Sequence, residues 1–310
     1  MFASSLAPPL AAAFPDAAID LWCKRYTAAV GALVPHVRSV IAADPFWAVA
    51  PGHPRPPLGP MLRSMAAVRR NRYDVALLTD APWRTAAAVA ATRVPRRVGL
   101  ARHRNSRFLT DVLPAEDVRS PVVRELGRVA AAAGAPSENP HYQLDRKRIA
   151  AADRAAVAGL PRQFVALHPF ASTRARCVPL GVWTQVAFAL QARGIPVLWV
   201  GRVPELEELR RSFTHPRGFY VDEFNGGALG ATAAALSRAS AFVGHDSGPL
   251  HVAAAFGVPV VGVFAPGQPE RTFPQGTGPW RMISRPTPEG IDAAAMLHEL
   301  DALQPITSPR

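Results

Sequence analysis

The sequence predicts an α/β protein of two parallel-sheet, Rossmann-like halves, and three observations predict it. Apolar, β-branched runs alternate with helical stretches from Ala18 to Gly134, and the alternation resumes at Phe164. Between them, Pro136 to Pro161 turns polar and then alanine-rich, as an interdomain connection does. Residues 242–264, FVGHDSGPLHVAAAFGVPVVGVF, read as a complete strand–helix–strand unit. The 310 residues suffice for two domains with their own cores. The expected boundaries are 1–145, 160–287 and a C-terminal helix and tail over 288–310.

In chain order, Leu6, Leu10 and Phe14 fall at helical spacing, and Pro15-Asp16 ends that helix. Ala18–Trp22 reads as a strand, Tyr26–Leu33 as a helix and Val37–Ile41 as a strand. A proline-rich loop follows from Asp44 to Pro60. Met61–Arg70 is helical, with cations at its C-terminal end where the dipole favours them. Tyr73–Thr79 reads as a buried strand ending in Asp80, and Trp83–Thr92 as a helix. Then come strand Arg97–Leu100, a basic loop from Arg102 to Arg107, and helix Val122–Gly134. The second half gives strands at 164–167, 195–201 and 219–221, with helices at 183–193, 204–213 and 228–238. In the unit at 242–264, Pro249 suits a first helical position, and Gly257 suits the helix end. Pro288–Leu303 looks like a terminal helix. Two such halves put a cleft between facing carboxyl edges.

Composition narrows the function. No 18-residue stretch is free of both charge and proline, which argues against a spanning helix. Met1–Phe14 lacks a basic start and carries Pro8 and Pro9, unlike a signal peptide, so the protein is read as cytoplasmic. Cys23 and Cys177 are too few for a disulfide framework or a zinc site, and no metal-ligand cluster is visible. The net charge of +12 invites a nucleic-acid reading. However, Lys24 and Lys147 are the only lysines, and no nucleic-acid-binding signature is present. A phosphorylated acceptor or an anionic membrane surface fits the charge at least as well.

Two loops at strand ends can carry chemistry. The first is His245-Asp246-Ser247-Gly248 with His251 one turn on, at a helix N-terminus suited to an anion. Its plainer explanations are a helix cap and a packed histidine. The second is His168-Pro169-Phe170-Ala171-Ser172-Thr173-Arg174-Ala175-Arg176, whose hydroxyls, amides and arginines suit a diphosphate. Its plainer explanation is a solvated basic loop.

The run Asp246-Ser247-Gly248-Pro249-Leu250-His251, then Gly257-Val258-Pro259-Val260 and Phe264-Ala265-Pro266, resembles the signature of glycosyltransferase family 9, the lipopolysaccharide heptosyltransferases and their relatives. The loop after the strand at 164–167 is similar to the family's H-P-G-A-S-x-x-K-R-W-P, keeping His168, Pro169, Ala171, Ser172, Pro179 and Trp183. It has Phe170 for the glycine, Arg176 for the usual lysine, and Cys177-Val178 for Arg-Trp. Weaker likenesses follow in order through the first half, at Phe14–Ala17, Tyr73–Ala76, Pro95–Gly99 and Val123–Gly134.

The resemblance implies a GT-B fold and an inverting, metal-independent transfer, with ADP-heptose as donor and a lipopolysaccharide-core-type, lipid-linked acceptor. It implies no cofactor. Arg176 is the expected catalytic cation. Ser172, Thr173, Arg176, Asp246, Ser247, Gly248 and His251 are the expected donor contacts, and Arg102, Arg104 and Arg107 face the acceptor. Family members begin with a strand and a Gly-Asp loop that supplies the general base, and the alignment puts both before Met1. Asp80 is the substitute within this chain, unless it is simply a solvated loop residue. A second reading is therefore a sugar-nucleotide-binding protein without transfer.

Overall fold

The computed structural model describes residues 1–48, 54–79, 81–117, 119–212 and 218–303. In chain order the elements are α1 (Ala7–Ala13), β1 (Ile19–Cys23), α2 (Ala28–Gly31), β2 (Val37–Ala42), α3 (Leu58–Arg70), β3 (Val75–Leu78), α4 (Trp83–Ala91), β4 (Arg96–Leu100), β5 (Asp111–Leu113) and α5 (Val122–Ala132). They continue as α6 (Ala151–Ala156), β6 (Val165–His168), α7 (Leu180–Ala192), β7 (Val197–Trp199), α8 (Val203–Ser212), β8 (Phe219–Tyr220), α9 (Leu229–Arg238) and β9 (Ala241–His245). The last are α10 (Gly248–Ala255), β10 (Val260–Phe264), α11 (Pro269–Thr272), β11 (Trp280–Ser284) and α12 (Ala293–Leu303). The chain divides into two compact units, Phe2–Tyr142 and Gln143–Arg310. None of the described helices is long and apolar enough to cross a membrane.

The Gln143–Arg310 unit carries one parallel sheet in the order β11-β10-β9-β6-β7-β8. β6, β9 and β10 are buried at every residue, as central strands of a sheet covered on both faces must be. The chain lays β7 and β8 to one side of β6, then crosses back to put β9 against its other edge. The connections after β6 and β9 therefore leave in opposite directions, and the crevice between them opens at the strands' carboxyl ends. Both candidate loops begin there. Trp183, Trp199, Phe164, Phe242 and Phe264 are among the fully buried side chains that fix this arrangement. Truncating one such ring to alanine costs about 3–5 kcal/mol.

The stretch that composition marks as a connection is folded onto this second unit from Gln143 onward. Leu144 donates its amide to the Ala255 carbonyl at 2.8 Å, and Arg146 reaches the Ser237 carbonyl at 3.1 Å. Leu144, Ile149, Val157 and Leu160 are buried. Alanine-rich, charge-flanked sequence hides these anchors because they are spaced too irregularly to form a stripe.

The Phe2–Tyr142 unit holds two parallel groups, β1-β2 and β3-β4-β5. No backbone ladder joins β1 to β3 among the described residues. Trp22 of β1 nevertheless packs against two small cores, one around Leu78 and Ala86, the other around Met61 and Ala88. The Asp20 carboxylate accepts the Tyr73 hydroxyl proton, Arg38 at 2.6 Å and the Ser39 amide at 3.1 Å. Burial raises its pKa, and these donors outweigh burial to hold it below the ordinary value. The buried strand expected over 73–79 is shorter and wetter than its sequence implies. Only Leu78 is buried and Val75 is 37% exposed, because among the described residues one flank of β3 has no strand beside it. Asp80 lies outside the described residues.

Candidate active site

Asp246 follows β9 directly, and its amide still donates to Val263 of the neighbouring β10 at 3.1 Å. That bond fixes where its carboxylate points. Oδ1 lies 3.2 Å from His251 Nε2, and Oδ2 accepts Arg176 Nη2 at 3.1 Å and lies 3.1 Å from Thr272 Oγ1. Its side chain is only 14% exposed. Burial pushes the carboxyl pKa up, but the bond to His251, that ring's charge, Thr272 and Arg176 together pull it below the ordinary value. One carboxylate thus ties the loop after β6, the first turn of α10 and the end of α11.

Arg176 sits in a 3₁₀ turn, Arg174–Arg176, its Nε held by the Pro266 carbonyl at 3.0 Å. Nε and one Nη2 proton are spent on protein, which leaves the Nη1 edge for a ligand. Its position comes from pairing β6 with β9, although 70 residues separate it from Asp246. Ser247 occupies the N-cap of α10, but its hydroxyl turns back to the His245 carbonyl at 3.0 Å. The first-turn amides therefore have no side-chain cap and remain suited to an anion. Gly248 is exposed, and a Cβ there would meet nothing within 4 Å. Ser172 and Thr173 are exposed on the same strand-end loop.

Two buried histidines are structural. His245, 1% exposed, accepts the Val178 amide proton at Nε2 across 3.1 Å and meets the Trp183 ring edge-on at 5.3 Å. Burial, reinforced by neighbouring His168, lowers its pKa to about 3, so it stays neutral. His168 holds the Val200 carbonyl at 2.8 Å, and burial lowers its pKa too. Phe170, where the family pattern has glycine, is buried against Gly201, whose Cβ would lie 2.7 Å from its ring. The loop therefore closes over an aromatic plug. The Trp183 indole N–H is the one buried side-chain nitrogen or oxygen without a partner among the described residues.

The structure brings Arg176, Asp246, Ser247 and His251 together and adds Thr272, which the sequence reading did not single out. Its signal was present only as the run Pro266–Thr272, which nothing local places beside residue 246. The acceptor-side arginines divide. Arg102, expected to face the acceptor, forms an ion pair with Glu125, whose side chain is 2% exposed. Arg96 and Arg97 are likewise engaged, with Asp111 and with backbone carbonyls. Arg104 and Arg107 are exposed. Among the described residues no group of His, Cys, Asp and Glu could hold a metal ion.

A family model, glycosyltransferase family 9 (heptosyltransferase), matches residues 61–285. Among solved structures, the chain resembles E. coli ADP-heptose lipopolysaccharide heptosyltransferase II with a TM-score of 0.78 at 21% identity, covering 97% of this chain and 94% of that one. It resembles a Veillonella parvula family 9 glycosyltransferase at 0.76 and 16%, covering 98% and 94%. It also resembles E. coli heptosyltransferase WaaC, solved with ADP, at 0.76 and 17%, covering 98% and 95%. At these identities the structural likeness establishes the GT-B fold. No curated protein matches the chain.

Proposed function

This chain belongs to glycosyltransferase family 9, and we propose that it moves a heptose from ADP-heptose to a lipid-linked, lipopolysaccharide-core-type acceptor, with inversion and without a bound metal. The observation that carries this is the Arg176 guanidinium, anchored by Asp246 and Pro266 beside the uncapped N-terminus of α10. A departing nucleoside diphosphate gains negative charge as the glycosidic bond breaks. A fixed guanidinium edge and a helix dipole stabilise that charge without reorganising. Such groups do the work a divalent cation does elsewhere. Ser172, Thr173, Ser247 and Gly248 offer hydroxyls and amides to the phosphates, and His251 supports the group through its bond to Asp246. ADP as the nucleotide is favoured by the solved relative that carries it.

The acceptor belongs, on this reading, to the Phe2–Tyr142 unit, where Arg104 and Arg107 supply positive charge. Peripheral contact with an anionic leaflet follows from the same charge.

The test is release of ADP from ADP-heptose with a lipid A–core acceptor, alongside ADP binding by calorimetry. Arg176→Ala should lower kcat by roughly 100-fold, as loss of one preorganised donor does, and Arg176→Lys should recover part of it. Tight ADP binding with no acceptor-dependent turnover would instead support a sugar-nucleotide-binding protein. Unchanged turnover in Arg176→Ala would remove the arginine from the mechanism.

A further inference from the structure

We propose that Trp83, Arg84 and Arg107 form a phosphate-binding shelf on the Phe2–Tyr142 unit, separate from the Arg176 site and taking the phosphate ester of a saccharide. Trp83 opens α4 just after β3, and Arg107 lies in the 3₁₀ turn Ser106–Phe108 just after β4. Both therefore sit at the carboxyl edge of β3-β4-β5, where parallel sheets hold ligands. The Trp83 ring is 38% exposed and stacks on Phe108 at 6.5 Å with planes 20° apart. The Arg84 guanidinium lies 5.1 Å from the Trp83 centroid. That of Arg107 lies 5.9 Å from Trp83 and 5.0 Å from Phe108, bridging the two rings.

Guanidinium groups laid on aromatic faces keep their N–H edges free, the geometry that reads a phosphate bidentately. Neither arginine has a carboxylate partner among the described residues. Two cations braced on one aromatic shelf, with no carboxylate on them among the described residues, ask for an anion from outside.

The shelf is also preorganised. The Trp83 amide donates to the His103 carbonyl at 3.2 Å, which locks the two loops together. Buried Asn105 then pins the second loop, donating to the Ala81 and Leu100 carbonyls at 3.0 Å and accepting the Arg102 amide at 2.9 Å. It holds His103 and Arg104 at positive φ, 50° and 60°, a conformation non-glycine residues rarely keep unaided. Exposed Arg104 is thereby presented on the same loop. That the phosphate belongs to a sugar acceptor rests on the transferase reading; that the shelf takes a phosphate does not.

The full chain should be titrated calorimetrically at low salt with glucose 6-phosphate, glucose and ADP. Vesicles of phosphatidylcholine with and without phosphatidylglycerol are added in sedimentation assays. The wild type should bind glucose 6-phosphate and not glucose. The double variant R84Q/R107Q should bind it at least tenfold more weakly, with melting temperature and ADP affinity unchanged, and W83L should weaken it too. The variant R69Q/R70Q removes the same charge from the exposed end of α3 and should behave as wild type. Equal binding by R84Q/R107Q and wild type, or an equal loss in R69Q/R70Q, overturns the shelf. Arg84- and Arg107-dependent binding of phosphatidylglycerol vesicles without glucose 6-phosphate binding overturns the saccharide as the phosphate's source and assigns a lipid headgroup. None of these readouts needs turnover, so failure of the transferase reading leaves the result intact.

Discussion

Asp246 does at residue scale what no single loop could do for itself. Its two oxygens hold Arg176, His251 and Thr272 from three segments of the chain. Asn at this position keeps the shape but loses the charge and offers one acceptor oxygen. Asp246→Asn should therefore weaken ADP binding by roughly 10- to 150-fold, the loss of one charge-assisted hydrogen bond worth roughly 1.5–3 kcal/mol, and calorimetry reads it directly. His245 sets a different dependence. Its folded pKa of about 3 lies below the ordinary 6.5, so the unfolded chain binds the extra proton in between. Stability is then complete above 6.5 and falls as pH drops toward 3, by an amount on the order of 5 kcal/mol at the limit. Buried His168 shifts the same way and adds to the slope. Urea midpoints at pH 7.5, 6 and 5 should fall in that order, and His245→Leu should flatten the trend. In the folded chain His245 stays neutral down to about pH 3, so its bond to Val178, and with it the loop that carries Arg176, should hold over the same range, and ADP affinity should not follow the stability trend.

At the scale of elements, α10 is seated by close approach rather than by large side chains. It is rich in alanine, and the loop after α11 runs against its C-terminal end. A Cβ on Gly276 would fall 2.0 Å from the Ala254 carbonyl oxygen, which is backbone and cannot turn aside. Gly276→Ala should therefore push α10 off its seat and destabilise the unit by roughly 1–3 kcal/mol, the cost of overpacking, with a lower melting temperature as the check. The same scale explains what was legible. β6, β9 and β10 could be read from sequence because continuous apolar runs are what two-sided burial requires. β5 and β11 could not: they are edge strands of mixed character, and β11 carries exposed Trp280 and Arg281. The Asp246 loop was readable as a strand end, whereas the place of Thr272 was not, because only the β9–β10 pairing brings it near. The ion pair of Arg102 was not legible, because charge in a loop says nothing of a Glu125 buried on α5.

At the scale of the whole molecule, the family match over 61–285 covers more than half of one unit and most of the other. The two units differ in how their sheets are finished. The Gln143–Arg310 sheet is continuous over six strands, while in the Phe2–Tyr142 unit β1 and β3 each have a strand on one side only among the described residues. Among the described residues, no ladder protects the peptide groups on the open sides of β1 and β3. After transfer to heavy water, Asp20–Trp22 and Ala76–Leu77 should take up deuterium orders of magnitude faster than Ala166, Val243 and Val261, as mass spectrometry of peptic fragments would read. A seam of rapidly labelled backbone would then run through the middle of one unit, between strands that side chains alone hold side by side. Uniformly slow labelling there would mean the seam is closed in solution.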